Sequence, residues 1–314
     1  MQIHPQDIKK ILQTYDHILL TAHVSPDGDA VGSVLALYGC LCQWGKHPVL
    51  VIDDEIEEKY KYLPAAAQIR KPQEVQTDAS WLTVILDATD TARIGRTAAL
   101  IKGKVLNIDH HISNRHFADW EYVLPAYAAA GEVLTELFLQ WSVSITPEMA
   151  DALYTAIATD CGFFKFGNTT AHTLRMAAAA VAAGARPARI SESLEARDFA
   201  DLTVLSEVLR HIERFADGRM AGIVFTPELL ALTGDHTGSY IDYARIIKGV
   251  DVAFTVRYVT ATETRLSLRS KHTDVNAIAA VFGGGGHIRA AGATVSGSLQ
   301  ETKEKLIKEI INAL

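Results

Sequence analysis

Side chains suited to holding a divalent cation or moving a proton fall in separate stretches of this chain. His23, Asp27 and Asp29 open the series, Asp87 stands alone, Asp109, His110 and His111 are consecutive, and Asp160 comes last. A site that mixes carboxylates with imidazole and lacks thiolate suits Mn²⁺ or Mg²⁺ and admits Fe²⁺ or Co²⁺. Structural zinc is disfavoured without cysteine ligands. The anionic ligands exceed what one ion needs, which points to two ions about 3.5–4 Å apart. Such a pair stabilises the attacking and leaving oxygens of an in-line displacement at phosphorus and makes hydroxide available near neutral pH. Phosphoester hydrolysis is the reaction class these residues imply. Each has a plainer explanation, with Asp29 as a helix cap, Asp87 as a turn cap, and His110 and His111 as loop residues. One shared role accounts for all of them at once.

The elements that must carry these residues follow from the hydrophobic pattern. Ile18 to Thr21 reads as a strand that ends in the turn holding His23 to Asp29. Pro26 fixes one backbone angle there, and Gly28 is read as permitting a strained one. Val31 to Trp44 has helical spacing, with Gly45 as its C-cap. Val49 to Asp53 is a second strand. Leu82 to Leu86 delivers Asp87, and Lys104 to Ile108 delivers Asp109, His110 and His111. A helix spans Ala128 to Trp141. Thr146-Pro147 opens another that runs to about Thr159, leaving Asp160 at a helix C-terminus, where a carboxylate is unfavourable unless a cation compensates. Thr169 to Ala183 is alanine-rich and helical. Strands alternating with helices indicate an α/β fold, a parallel sheet covered by helices on both faces, with ligands gathered past the strand ends.

Residues 1–188 are thus expected to form a metal-binding catalytic domain, 189–216 a helical linker with helical sequence from Ile190 to Phe215, and 217–314 a smaller α+β domain. In the last, Arg219 to Phe225 reads as a strand. Val250 to Val259 and Thr264 to Arg269 read as a hairpin about Ala261-Thr262. Val275 to Phe282 is a short helix, four glycines and His287 follow, and Ser298 to Leu314 is a final helix. Glycines let backbone N–H groups approach an anion closely, and arginine grips phosphate with two parallel bonds. The Gly283–Gly286 run with His287, and Arg269-Ser270, are therefore candidate phosphate contacts.

The 314 residues carry a net charge of −7, which argues against long duplex nucleic acid as a partner and leaves a small anionic substrate open. The first ten residues lack an apolar signal core, and no apolar run is long enough to span a bilayer. Three cysteines cannot all pair, and Cys40 and Cys42 would face different sides of a helix. A reduced, cytoplasmic protein without a membrane partner is expected.

These residues, in this order, resemble the motifs of the DHH phosphoesterase family. His23-Val-Ser-Pro-Asp27-Gly-Asp29 resembles the first motif, and Asp87 with Arg93-Ile94-Gly95 the second. Asp109-His110-His111, followed by Asn114, resembles the signature triplet. Thr159-Asp160-Cys161-Gly162 through Asn168-Thr169 resembles the fourth motif, with Cys161 where members often have threonine. Arg269-Ser270 and Phe282 through His287, with Ala290-Ala291-Gly292 beyond, resemble the DHH-associated C-terminal domain. The resemblance covers nearly the whole chain and is closest to short members that cut very short oligoribonucleotides to mononucleotides and dephosphorylate 3′-phosphoadenosine 5′-phosphate (pAp).

The resemblance implies two Mn²⁺ ions, with Mg²⁺ or Co²⁺ as substitutes. His23, Asp27 and Asp87 would hold one; Asp29, Asp87, His110 and Asp160 the other, with Asp87 bridging. Asp109 would orient a ligand, and His111 would act on the phosphate or leaving group. Asn114, Arg269, Ser270, Asn276, Gly284, Gly285, Gly286 and His287 would contact substrate across a cleft that favours short chains. A homodimer is a further expectation drawn from the family. The alternative is a phosphodiesterase for pApA or cyclic dinucleotides such as c-di-AMP. Pyrophosphate hydrolysis, found in a branch with a different C-terminal domain, fits the glycine run poorly, and a regulator without catalysis fits the intact ligand set poorly.

Overall fold

The computed structural model describes residues 2–234 and 237–314 and divides into two compact units, Met1–Ala196 and Arg197–Leu314. In the first unit, strands β1 (Ile18–Thr21), β2 (Val49–Leu50), β3 (Leu82–Leu86), β4 (Lys104–Asp109) and β5 (Trp120–Val123) form a parallel sheet in the order β2-β1-β3-β4-β5. The order reverses between β1 and β3. The crevice past the strand ends at such a reversal is where open α/β sheets bind ligands. Strand β5 has no counterpart in the sequence reading; it is a four-residue strand at the sheet edge, and one of its two buried positions is Glu121, which no apolar pattern marks.

Successive side chains of a strand point to opposite faces, and the two faces are covered differently. Ile18, Leu20, Val84, Leu86, Leu106 and Ile108 pack against α-helices. The helices of this core are α1 (Pro5–Thr14), α2 (Gly28–Gln43), α3 (Ala130–Gln140), α4 (Pro147–Asp160), α5 (Ala171–Ala182) and α6 (Pro187–Glu195), the last two packed on α4. Leu19, Ile85 and Val105 face the other way, toward Val75 and Ile94. Those two lie at short 3₁₀ segments, Pro72–Glu74 and Thr91–Leu100, rather than on the α-helices expected there. Pro72 and a left-handed Gly95 (φ +58°) interrupt any longer helix.

Helices α2 and α4 run antiparallel at very close range. A Cβ on Gly32 would collide with the Ala152 carbonyl, and one on Gly28 with the Thr159 side chain. Small residues let two helix backbones approach, and here they bring the first turn of α2 beside the last turn of α4. Gly28 is therefore needed for space. Its backbone is helical, and the left-handed residue of the turn is Ser25 (φ +52°), which corrects the role expected for Gly28.

The second unit has a mixed sheet of β6 (Ile212–Phe215), β7 (Met220–Phe225), β8 (Val252–Thr260), β9 (Glu263–Ser270), β10 (Gly285–His287) and β11 (Ala290–Ser296), in the order β10-β11-β9-β8-β7-β6. Its helices are α7 (Phe199–Arg210), α8 (Pro227–Thr233), α9 (Ile241–Arg245), α10 (Val275–Val281) and α11 (Leu299–Ala313). Val275, Ile278, Leu306 and Ile310 of α10 and α11 pack on Phe254 and Leu268. Ile241 and Ala244 of α9 pack on Ala221 and Ala253 of the other face. The helical reading of Ile190 to Phe215 holds for α6 and α7 and fails for β6. A turn with left-handed Asp217 and Gly218 folds Ile212–Phe215 back onto β7. The glycine run also enters a hairpin strand, β10, which the sequence reading does not include. A Cβ on Gly284 or Gly286 would strike the β11 backbone, so only glycine pairs that closely.

Candidate active site

The turn after β1 is built around Asp27. Its carboxylate caps α2 by accepting the Asp29 and Ala30 N–H groups at 3.0 and 3.1 Å. The cap is thus Asp27 and not Asp29, and the helix starts at Gly28, earlier than its apolar pattern. His23 Nδ1 donates to the Val24 carbonyl at 2.8 Å, which turns Nε2 toward Asp27 (3.7 Å) and Asp87 (3.4 Å). A histidine whose second nitrogen is held by a carbonyl is oriented as metal-ligating histidines are.

Asp87 follows β3 with a left-handed backbone (φ +51°) and is 2 % exposed. A non-glycine residue in that region is strained, and such strain clusters at functional sites. Its Oδ2 faces His23, while its Oδ1 lies 3.4 Å from His110 Nε2. Among the described residues that buried Oδ1 accepts no hydrogen bond. An orphaned buried carboxylate oxygen beside the imidazoles of His110 and His111 is what a bound cation would satisfy.

At the end of β4 the triplet divides its work. His110 Nδ1 donates to the Tyr127 carbonyl at 3.2 Å, and Nε2 points at Asp87, Asp29 (3.6 Å) and Asp160 (3.5 Å). Asp109 is fully buried and accepts from His111 Nδ1 at 2.7 Å and from Asn114 Nδ2 at 2.6 Å. Asp109 therefore holds His111, whose side chain is 40 % exposed with Nε2 left for a ligand. Asn114 departs from its expected role. Its amide donates to Asn107 and Asp109, and its oxygen accepts the His116 N–H, so its polar atoms are engaged away from a phosphate.

Asp29 arrives at the first turn of α2 and is fully buried. It accepts the Ala130 and Gly131 N–H groups at 2.6 and 2.8 Å and the Ser33 hydroxyl at 3.0 Å. The fold thus draws three overlapping groups together, His23 with Asp27 and Asp87, Asp29 with His110 and Asp160, and Asp87 with Asp109, His110 and His111; within each, ligand atoms lie within 4.8 Å of one another. Donors around one small divalent ion sit about 3 Å apart when bond lengths are near 2.1 Å, so the residues fit such ions.

Without a cation the site is electrostatically crowded. Burial raises the Asp29 pKa well above the usual carboxylate range, and Asp87 and Asp160 push it further against the pull of His110. Burial likewise lifts Asp160 to about 6. Burial alone would lower His23, but Asp27 and Asp87 outweigh it and raise the imidazole to about 10. His110 is raised to about 10 the same way, by Asp87 and Asp29. These imidazoles hold protons that a metal would displace.

In the second unit, β10, β11 and β9 align His287 with Ala290 and Ala290 with Arg269. Directly aligned residues point to one face, so Arg269 and His287 share it, with an exposed Gly285 two residues before His287. Asn276 lies beside Gly285, its Oδ1 3.7 Å from where a Cβ would be. Arg269 uses one guanidinium N–H on the Leu268 carbonyl. Ser270, the next residue, points to the opposite face, is 7 % exposed, and donates its hydroxyl to the Thr273 carbonyl at 2.5 Å. The expected phosphate contact from Ser270 is therefore not available from its side chain.

Comparison with known proteins adds the lineage. Residues 17–157 match the DHH family, N-terminal domain, and residues 224–314 match the DHHA1 domain. A Thermus thermophilus protein named bifunctional oligoribonuclease and PAP phosphatase NrnA is 31% identical, over 93% of this chain and 89% of its own. The chain belongs to the DHH family. The Bacillus subtilis NrnA is 24% identical over 92% of both chains. A crystal structure of an exopolyphosphatase-related protein from Bacteroides fragilis shares this DHH fold, with a TM-score of 0.87, 24% identity, and coverage of 98% of this chain and 96% of that one. DHH phosphoesterases are metal-dependent hydrolases, and the acidic and imidazole cluster of this member could hold the metal.

Sequence reasoning missed several residues that shape this DHH site. Asn107 bridges the Ile85 and Ala88 carbonyls to Asn114, and a polar residue inside an apolar strand was the available signal. Tyr127, Ala130 and Gly131 act through backbone atoms, which no residue type announces.

Proposed function

We propose that this protein is a two-ion, Mn²⁺-dependent phosphoesterase that cuts oligoribonucleotides of a few residues to mononucleotides and dephosphorylates pAp to AMP in the cytoplasm. The observation that carries the reading is the buried Asp87 carboxylate, which turns Oδ2 toward His23 and its orphaned Oδ1 toward His110. When bound, divalent ions at these groups supply Lewis-acid activation of water and neutralise charge at phosphorus. His23, Asp27 and Asp87 would hold one ion, and Asp29, His110, Asp160 and Asp87 the other. Val24 and Tyr127 fix the imidazoles with their carbonyls, so the ligand nitrogens are set before substrate arrives.

His111 is assigned to the leaving group. Asp109 holds its Nδ1, and that hydrogen bond, the first cause of its raised pKa, favours the protonated ring that would donate from Nε2. Arg269 and His287, sharing one face of the second sheet beside Gly285 and Asn276, are assigned to a substrate phosphate and its nucleotide. The names of the relatives support both substrate types. No described helix is long and apolar enough to cross a membrane, in keeping with action on small dissolved substrates.

The deciding experiment is a substrate series on one preparation with Mn²⁺: oligoribonucleotides from two residues upward, pAp, pApA and c-di-AMP. Turnover that falls steeply with length and includes pAp is expected. Turnover of pApA or c-di-AMP alone would replace the assignment with dinucleotide hydrolysis, and inactivity on every substrate would end it.

A further inference from the structure

Residues 127–131 touch the site through their backbone alone. The Tyr127 carbonyl accepts from His110 at 3.2 Å, and the Ala130 and Gly131 N–H groups donate to Asp29 at 2.6 and 2.8 Å. The segment thus braces two members of the Asp29, His110 and Asp160 group.

What fixes the brace is a buried carboxylate. Glu132 is 0 % exposed, and its Oε2 accepts the Ala128 N–H at 2.8 Å and the Thr173 hydroxyl at 3.0 Å. Its Oε1 accepts from His172 Nδ1 at 2.6 Å. A carboxylate only accepts, so Nδ1 carries the proton. The His172 ring also lies 4.6 Å from the Tyr127 ring, and its Nε2 is 3.8 Å from Glu136, which accepts the Tyr127 hydroxyl. Side chains of α5 therefore hold Glu132 of α3 and the Tyr127 ring, and with them the start of the brace, at Tyr127 and Ala128. A buried charge held by several donors is anchored; deprived of one, it must recruit another by moving, and the backbone it holds moves with it.

We propose that Glu132 and His172 are positioning residues that set the affinity of the Asp29, His110 and Asp160 group for its cation, while His23 and Asp27, which the brace does not touch, keep their own supports. This rests on the two-ion reading above.

The test is calorimetric titration of the metal-free full chain with Mn²⁺. Asp160→Asn and His23→Ala mark which ion is which. His172→Ala and Glu132→Gln are expected to weaken, about 10- to 100-fold, the ion that Asp160→Asn also weakens, and to leave unchanged the ion that His23→Ala weakens. His172→Asn keeps an N–H donor for Glu132 and is expected to stay within about threefold of wild type. Thermal melting of each metal-free variant accompanies the titrations. Two ions bound as in wild type, or both ions weakened alike with a lowered melting temperature, overturn the proposal. If His172→Ala does not fold, Glu132→Gln decides. A wild-type chain that takes up fewer than two ions overturns the two-ion reading itself, and this inference with it.

Discussion

Gly32 of α2 backs so closely onto the Ala152 carbonyl of α4 that no side chain fits between them. That contact is how a ligand from a helix start, Asp29, comes beside a ligand from a helix end, Asp160. Gly32→Ala is expected to lower stability by about 1–3 kcal/mol through overpacking and to weaken Mn²⁺ binding at the Asp29 group. Urea melts and metal titrations check both. A variant with lowered stability but unaltered metal affinity would separate the helix contact from the site.

Asp87 faces both histidine groups. Asp87→Ala is expected to abolish hydrolysis of every substrate, by about a thousandfold or more, and to reduce bound metal. Metal analysis alongside activity tests it; retained turnover of any one substrate contradicts the shared role.

His111→Ala is expected to lower kcat by about 10²–10⁴-fold with metal content intact. Asp109→Asn should act in the same direction, because the amide no longer fixes the ring through a charged acceptor. Asn114→Ala should act more weakly, since the side chain reaches His111 only through Asp109 and the backbone N–H on the His111 carbonyl is kept. The pH profile of kcat reads the difference: losing Asp109 removes the hydrogen bond that raises the His111 pKa and moves the alkaline limb to lower pH.

Arg269→Ala and His287→Ala are expected to raise KM about 10- to 100-fold on short oligoribonucleotides without changing metal content. Ser270→Ala should leave phosphate recognition nearly unchanged, because its hydroxyl already serves the Thr273 carbonyl on the opposite face. Steady-state kinetics on the three variants decide this, and a Ser270→Ala defect matching Arg269→Ala would reverse the face assignment.

The metal-free fold should lose stability as pH rises. His23 and His110, raised from 6.5 to about 10, contribute stability that is complete below pH 6.5 and lost as pH climbs through about 10. Asp160, raised from 3.8 to about 6, acts in the same direction between those values, since the folded state binds more protons there. Metal binding displaces such protons, so Mn²⁺ affinity should rise with pH over the same range. Denaturant melts across pH, with and without Mn²⁺, test the opposite slopes.

Much of this molecule was written locally. Runs such as Leu82 to Leu86 fix buried strands, Thr146-Pro147 fixes a helix start, and the ligand types after β1, β3 and β4 fix the chemistry, because strand ends of a parallel sheet share an edge. The sequence by itself determined which residues could bind metal and how the domains alternate strand and helix. Only the tertiary structure decided that Asp160 reaches His110, that Asn114 serves Asp109, that Ser270 faces inward, and that Glu132 and His172 clamp residues that hold the ligands through backbone atoms. Those facts depend on close approach between elements remote in the chain and on hydrogen bonds from peptide groups, which every residue but proline can donate and which no side-chain pattern records.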